Sequence, residues 1–145
     1  MTQYVAFLRG INVGGHKPVK MEELKKAFES MGFQNVKTLL ASGNVLFETP
    51  DMGTDNLVKR IEEKLEMELG YKITVLLRTI EEIQNLAEAD PFKNIKVTPQ
   101  TRLYVTFLSE KQKSALKIPY ESTEKDIKIV HLVVTNVCIK TLATT

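Results

Sequence analysis

Apolar and polar positions follow two different rhythms along the first half of the chain. Tyr4-Val5-Ala6-Phe7-Leu8 is a short, nearly continuous apolar run ending at Arg9-Gly10, which predicts a buried central strand. Residues Gly10 to Lys20 read as a loop. Met21, Leu24, Ala27, Phe28 and Met31 then recur at helical spacing, with Lys25, Lys26 and Glu29 among the polar positions between them and Gly32 as the stop. Val36 to Leu40 and Val45 to Phe47 are apolar runs on either side of Ala41-Ser42-Gly43-Asn44, the composition of a tight hairpin turn. Leu57, Ile61, Leu65 and Leu69 predict a second helix, with Thr54 and Asp55 as its capping candidates and Gly70 at its end. Ile73-Thr74-Val75-Leu76-Leu77 reads as a further strand.

The resulting order over residues 1–78 is β-α-β-β-α-β. That is the ferredoxin-like unit of an α+β protein, an antiparallel sheet with both helices on one face. Thr79-Ile80-Glu81-Glu82 has the form of a capping box and opens a third helix, which ends near Asp90-Pro91 because a proline disfavours helix at the residue before it. Tyr-Val-Thr-Phe-Leu at 104–108 then echoes Tyr-Val-Ala-Phe-Leu at 4–8. A second capping box, Ser109-Glu110-Lys111-Gln112, starts a short helix stopped by Pro119. Two β-rich runs follow, Ile127 to Val130 and Leu132 to Ile139. Residues 79–145 thus read as a second, incomplete ferredoxin-like subdomain, the two subdomains forming one compact unit. The run from His131 is strongly β-forming and almost uncharged. It either packs internally or offers an edge for pairing with another chain.

Composition narrows the class. The chain has 145 residues, 43% hydrophobic and 26% charged, as a folded globular protein does, with no apolar run long enough to span a membrane. Twenty basic residues against 18 acidic give a net charge of +2, too balanced for a dedicated polyanion binder. One cysteine, Cys138, can form neither an internal disulfide nor a cysteine-based zinc site, and a reducing cytoplasm is the expected compartment. His16 and His131 have no Cys or carboxylate partners at ligand spacing, so neither a metal nor any other cofactor is implied. Ser42 lies outside the G-x-S-x-G pattern, and no catalytic residue is identified.

The informative segment is Gly10-Ile11-Asn12-Val13-Gly14-Gly15-His16-Lys17-Pro18-Val19-Lys20. A strand, a glycine-bearing loop and a helix are the ingredients of a phosphate cradle, in which backbone N–H groups and a helix N-terminus face an anion. His16 and Lys17 stand where a P-loop requires Lys and Ser or Thr, so nucleotide hydrolysis is not expected. Between Arg9 and Lys26 five basic residues face two acidic ones. In the β-α-β-β-α-β order the first and second strands run parallel, which brings this loop, the hairpin at 41–44 and the turn Gly70-Tyr71-Lys72 to one end of the sheet. Arg9, Asn12, Gly14, Gly15, Lys17, Lys20, Ser42, Gly43 and Asn44 are therefore the candidate ligand-binding residues for a small anion or phosphate. The plainer alternative is a compact turn beside a solvated basic face.

Taken together, Phe7-Leu8-Arg9-Gly10-Ile11-Asn12-Val13-Gly14-Gly15, the Lys20-Met21-x-x-Leu24 helix start, Gly32-Phe33, Ala41-Ser42-Gly43-Asn44-Val45-x-Phe47 and Asp90-Pro91-Phe92 resemble the bacterial domain of unknown function family 1697. The resemblance runs from about residue 1 to 130. It implies a duplicated ferredoxin-like α+β fold and a cytoplasmic protein, and it brings no established activity. Members of that family look longer, with a tryptophan-bearing helix after the last β-region. This chain has no tryptophan and departs from the pattern from His131 onward, as a truncated or frameshifted reading frame would.

Two other function classes compete with anion binding. A nucleic-acid-binding module would use the fold order together with Tyr4, Tyr104 and the lysines, although Asn44-Val45-Leu46-Phe47-Glu48 lacks the basic and aromatic pattern of an RNA-recognition motif. A structural protein would associate with itself as a homodimer through the C-terminal strands.

Overall fold

In the computed structural model of the chain, the described residues are 1–11, 18–39, 43–90, 92–93, 96, 98–99, 101–107, 120–121, 127–133 and 137–143. From residue 101 onward the description covers backbone, with side chains at Thr101, Leu103 and Val105. The chain divides into two compact units, Met1–Gln84 and Asn85–Thr145.

The first unit contains β1 (Thr2–Arg9), α1 (Met21–Ser30), β2 (Gln34–Leu39), β3 (Asn44–Thr49), α2 (Thr54–Leu69) and β4 (Thr74–Thr79), and it opens α3 (Ile80–Ala89). Its strands form an antiparallel sheet in the order β2-β3-β1-β4. Alternation along the strands sends Tyr4, Ala6 and Leu8 to the same face as Val45, Phe47, Val75 and Leu77, and all are buried. Leu24, Ala27 and Phe28 of α1 and Leu57, Ile61 and Leu65 of α2 join them in one apolar core, so both helices cover that face. An aromatic cluster fills its centre. The Phe47 ring lies 4.5 Å from Phe33, 5.4 Å from Phe28 and 5.6 Å from Tyr4.

The helix ends follow from local chemistry. Gly70, in the left-handed region with φ +82°, closes α2 by donating its N–H to the Glu66 carbonyl at 2.9 Å, as the sequence predicts. The N-terminal expectation is corrected: Gly53 is the N-cap, without a side-chain cap bond, and Thr54 and Asp55 lie inside the first turn. The capping box at 79–82 is present in both directions. The Glu82 N–H donates to Thr79 Oγ1 at 3.1 Å, while the Thr79 N–H and hydroxyl donate to Glu82 Oε1 at 3.3 and 3.2 Å. The helix ends before Asp90, whose φ is +43°.

The second unit holds β5 (Thr101–Phe107), β6 (Tyr120–Glu121), β7 (Ile127–Val133) and β8 (Val137–Ala143), an antiparallel sheet in the order β5-β8-β7-β6. The break expected after Val130 is instead a register irregularity between Ile129 and His131, and the strand runs on to Val133. Nothing in Val130-His131-Leu132 interrupts an extended chain, and a β-bulge absorbs the extra residue. The terminal strand β8 lies between β5 and β7, hydrogen-bonded on both sides. The helix expected after Ser109 lies outside the described residues. Among the described residues no helix is long and apolar enough to cross a membrane.

Candidate functional site

The sheet register brings the predicted segments to one rim. Phe7 pairs with Asn44, the Leu8 N–H donates to the Gly43 carbonyl at 3.0 Å, and Arg9 pairs with Thr74. The start of the glycine loop, the end of the hairpin and the turn before β4 therefore meet at the C-terminal end of β1. The N-terminus of α1 belongs to the same end, because the helix returns antiparallel to the strand it follows. Its N-cap, Lys20, makes no side-chain cap bond. The first N–H groups of a helix have no partner within the helix and carry part of its dipole, so they favour negative charge. Glu22 and Glu23 in the first turn already answer part of that demand.

The candidate residues divide unevenly. Arg9 and Lys20 are exposed at this end, as is Lys72 of the neighbouring turn. Gly43 is buried, with φ +86°. A Cβ placed there would stand 2.7 Å from Ile11 Cγ2 and 3.0 Å from Leu8 Cβ, so the hairpin backbone rests directly on apolar side chains. Only glycine combines that conformation with that approach. Asn44 corrects the sequence reading: it is the first residue of β3, half-buried and paired with Phe7 and Leu39, rather than a turn residue. Asn12, Gly14, Gly15, Lys17 and Ser42 lie outside the described residues. Among the described residues no group of His, Cys, Asp and Glu is arranged to hold a metal ion.

Sequence reasoning missed a second constellation, at the opposite end of β1. Glu48 accepts the Gln3 amide on Oε1 and the Asn35 amide on Oε2, each at 2.7 Å. These bonds hold its carboxyl below the usual glutamate range, so the group stays ionised. Asn35 reaches it from a left-handed conformation, φ +50°, where the β2–β3 register shifts between Gln34 and Lys37. A groove of about 280 Å³ opens here, lined by Gln3, Tyr4, Asn35, Lys37, Leu46, Phe47, Glu48 and Ile80. None of the candidate anion-binding residues lines it, and its fixed carboxylate makes it unsuited to an anion. The Gln3–Glu48 pairing follows from strand register once strand ends are known. The Asn35 bulge has no signature in the sequence.

Two further residues carry buried or bridging cations. Arg78 is 8% exposed, donates to the Leu77 carbonyl at 2.7 Å and has its Nε 3.8 Å from Glu82 Oε2. Burial lowers its pKa, and Glu82 opposes that shift. Arg60 of α2 donates to the Met31 carbonyl at 2.7 Å, at the end of α1, and its guanidinium carbon lies 5.6 Å from the Phe33 ring centre. Both roles are structural.

Tyr4, on which the nucleic-acid reading draws, is 2% exposed and stacked on Phe47 in the helix-covered core. Its hydroxyl reaches Asp51 Oδ1 at 3.4 Å, and burial together with that carboxylate raises the phenol pKa.

Comparison with known proteins gives kinship without activity. No curated protein matches the chain. Among solved structures it is similar to the conserved bacterial protein SP0830 from Streptococcus pneumoniae, with a TM-score of 0.70 and 21% identity over 99% of this chain and 78% of that one. At that identity the likeness establishes the fold. The family model described as protein of unknown function (DUF1697) matches residues 1–136, five-residue Leu132–Asn136 stretch beyond His131 included, and the chain belongs to this family of uncharacterised conserved bacterial proteins.

Proposed function

We propose that the chain is a duplicated ferredoxin-like scaffold that binds a small anionic or phosphate-containing ligand at the rim between the Gly10–Lys20 loop and the hairpin before β3. The single observation that carries this reading is the register at the end of β1. Arg9, the α1 N-terminus with Lys20, and Lys72 share one end of the sheet with the backbone of the hairpin. The order β2-β3-β1-β4 supports the ferredoxin-like description. The order β5-β8-β7 repeats β1-β3-β2 and supports the duplication. A single cysteine favours the cytoplasm.

The test is a titration of the isotope-labelled full chain with inorganic phosphate, and separately with a nucleoside triphosphate. The amides of Gly14, Gly15 and Lys20 should shift in a saturable way, and Lys17→Ala with Lys20→Ala should weaken the response several-fold. Amides that stay put at millimolar ligand would end the proposal. A nucleic-acid surface is the weaker reading, because Tyr4 is turned into the core.

A further inference from the structure

The groove around Glu48 lies on the sheet face opposite α1 and α2, because Gln3, Leu46 and Glu48 alternate with the core residues Tyr4, Val45 and Phe47. Strand register assembles it. Gln3 and Glu48 are ladder partners across β1 and β3, and Leu46 pairs with Lys37 across β3 and β2. The register shift between Gln34 and Lys37 lets Asn35 reach the same carboxylate from β2.

The hydrogen bonds of this cluster fix which of its atoms are spoken for. An ionised carboxylate only accepts, so the Gln3 and Asn35 side chains turn their NH2 groups to Glu48 Oε1 and Oε2 and keep their carbonyl oxygens for another donor. A carboxylate has about four lone-pair sites, and the two amides take two of them. The groove thus offers spare acceptors around a negative charge. Lys37 lines the same groove, yet among the described residues neither it nor any other cation forms an ion pair with Glu48. Leu46 and Ile80 supply apolar surface beside the two charges.

We infer that this groove binds a small zwitterion of the amino-acid class. Its ammonium would be held by Glu48 with the amide oxygens of Gln3 and Asn35, its carboxylate by Lys37, and its apolar side chain would lie against Leu46 and Ile80. Charge complementarity and size select this class. A primary ammonium has three N–H donors and no acceptor, which suits the acceptors around Glu48. An anion alone is repelled by Glu48 and a cation alone by Lys37, whereas a zwitterion answers both. Same-face positions on a strand are about 7 Å apart, a span that the flexible stem of lysine closes around a small molecule. The volume of about 280 Å³ falls just below the range of about 300–1,000 Å³ typical of drug-sized ligands, and so fits a small metabolite.

Titration of the isotope-labelled full chain with L-leucine tests the assignment, with isopentylamine and isocaproate as probes that keep its carbon skeleton and lose one charge each. The side-chain NH2 signals of Gln3 and Asn35 should shift in a saturable way with leucine, with a dissociation constant of about 0.1–10 mM for a ligand of so few non-hydrogen atoms. Isopentylamine and isocaproate should each bind about tenfold or more weakly. This comparison needs only the native chain. Glu48→Gln and Lys37→Met, shown to be folded by circular dichroism, should each abolish the response to leucine, while Lys25→Ala on α1, across the sheet, leaves it unchanged. Signals indifferent to leucine up to about 50 mM, an amine or acid that binds as well as leucine, or a response that survives Glu48→Gln or Lys37→Met would each overturn the inference.

Discussion

Replacing Gly43 with alanine probes the contact that joins the hairpin to the end of β1. Two costs arise. The backbone at φ +86° is one that an L-residue adopts at about 1–2 kcal/mol. The new methyl would also stand 2.7 Å from Ile11 Cγ2, and forcing atoms into a packed site costs about 1–3 kcal/mol. Alanine recovers part of this by reducing the freedom of the unfolded chain, about 0.4–1 kcal/mol. The net expected loss is about 2–4 kcal/mol. Gly70→Ala is the control, because φ there is +82° but nothing lies within 4 Å of the added Cβ. It should lose only about 1 kcal/mol. Urea unfolding followed by far-UV circular dichroism gives both values, the chain having no tryptophan. Combining Gly43→Ala with Ile11→Ala removes the clashing Cγ2, so the pair should be less destabilising than the sum of the two by about 1 kcal/mol. Equal losses at Gly43 and Gly70, or strict additivity with Ile11, would refute the argument that close approach selects glycine here.

Three further outcomes are expected. Arg60→Ala should lower stability by about 1 kcal/mol by removing the bond to the Met31 carbonyl and the Phe33 contact, with Arg60→Lys recovering part of it, as urea midpoints will show. Thr79→Ala should cost about 1 kcal/mol and raise amide exchange at Glu82, since it removes the hydroxyl of the capping box. Glu48 has a folded pKa below its unfolded one, so its contribution is present above the usual glutamate range and disappears as pH falls through the lowered value. The stability difference between the native chain and Glu48→Gln should accordingly vanish on acidification, and a gap that persisted at low pH would contradict the assigned amide–carboxylate bonds.

The fold of the first unit is legible because its signals are local and agree with one another. Leu57, Ile61 and Leu65 fall on one helical face, Gly70 ends that helix, and the capping box at 79–82 appears with both of its bonds. The α2 start is not legible, because Thr54 and Asp55 are good caps in isolation whereas the preceding Gly53 takes the cap position with φ +81°. The apolar runs also stop short of the strands they belong to. Asn44 and Thr49 belong to β3 because their ladder partners, Phe7 and Thr2, hold them there, and polarity along the chain does not report a partner. The same limit hid the Glu48 cluster, which is assembled from three strands and a bulge. Of the candidate rim, the meeting of the loop's start, the hairpin's end and the turn before β4 at the C-terminal end of β1 follows from strand direction alone. The apolar seating of Gly43 on Ile11 does not, because a glycine's neighbours leave no trace in its own sequence position.

Ile11 and Val19 are both buried in the first unit's core, although each lies within the glycine-bearing segment. The scaffold thus grips that segment at two apolar posts. Because closure entropy grows slowly with length, adding a few residues between the posts should leave the platform's folding free energy largely untouched.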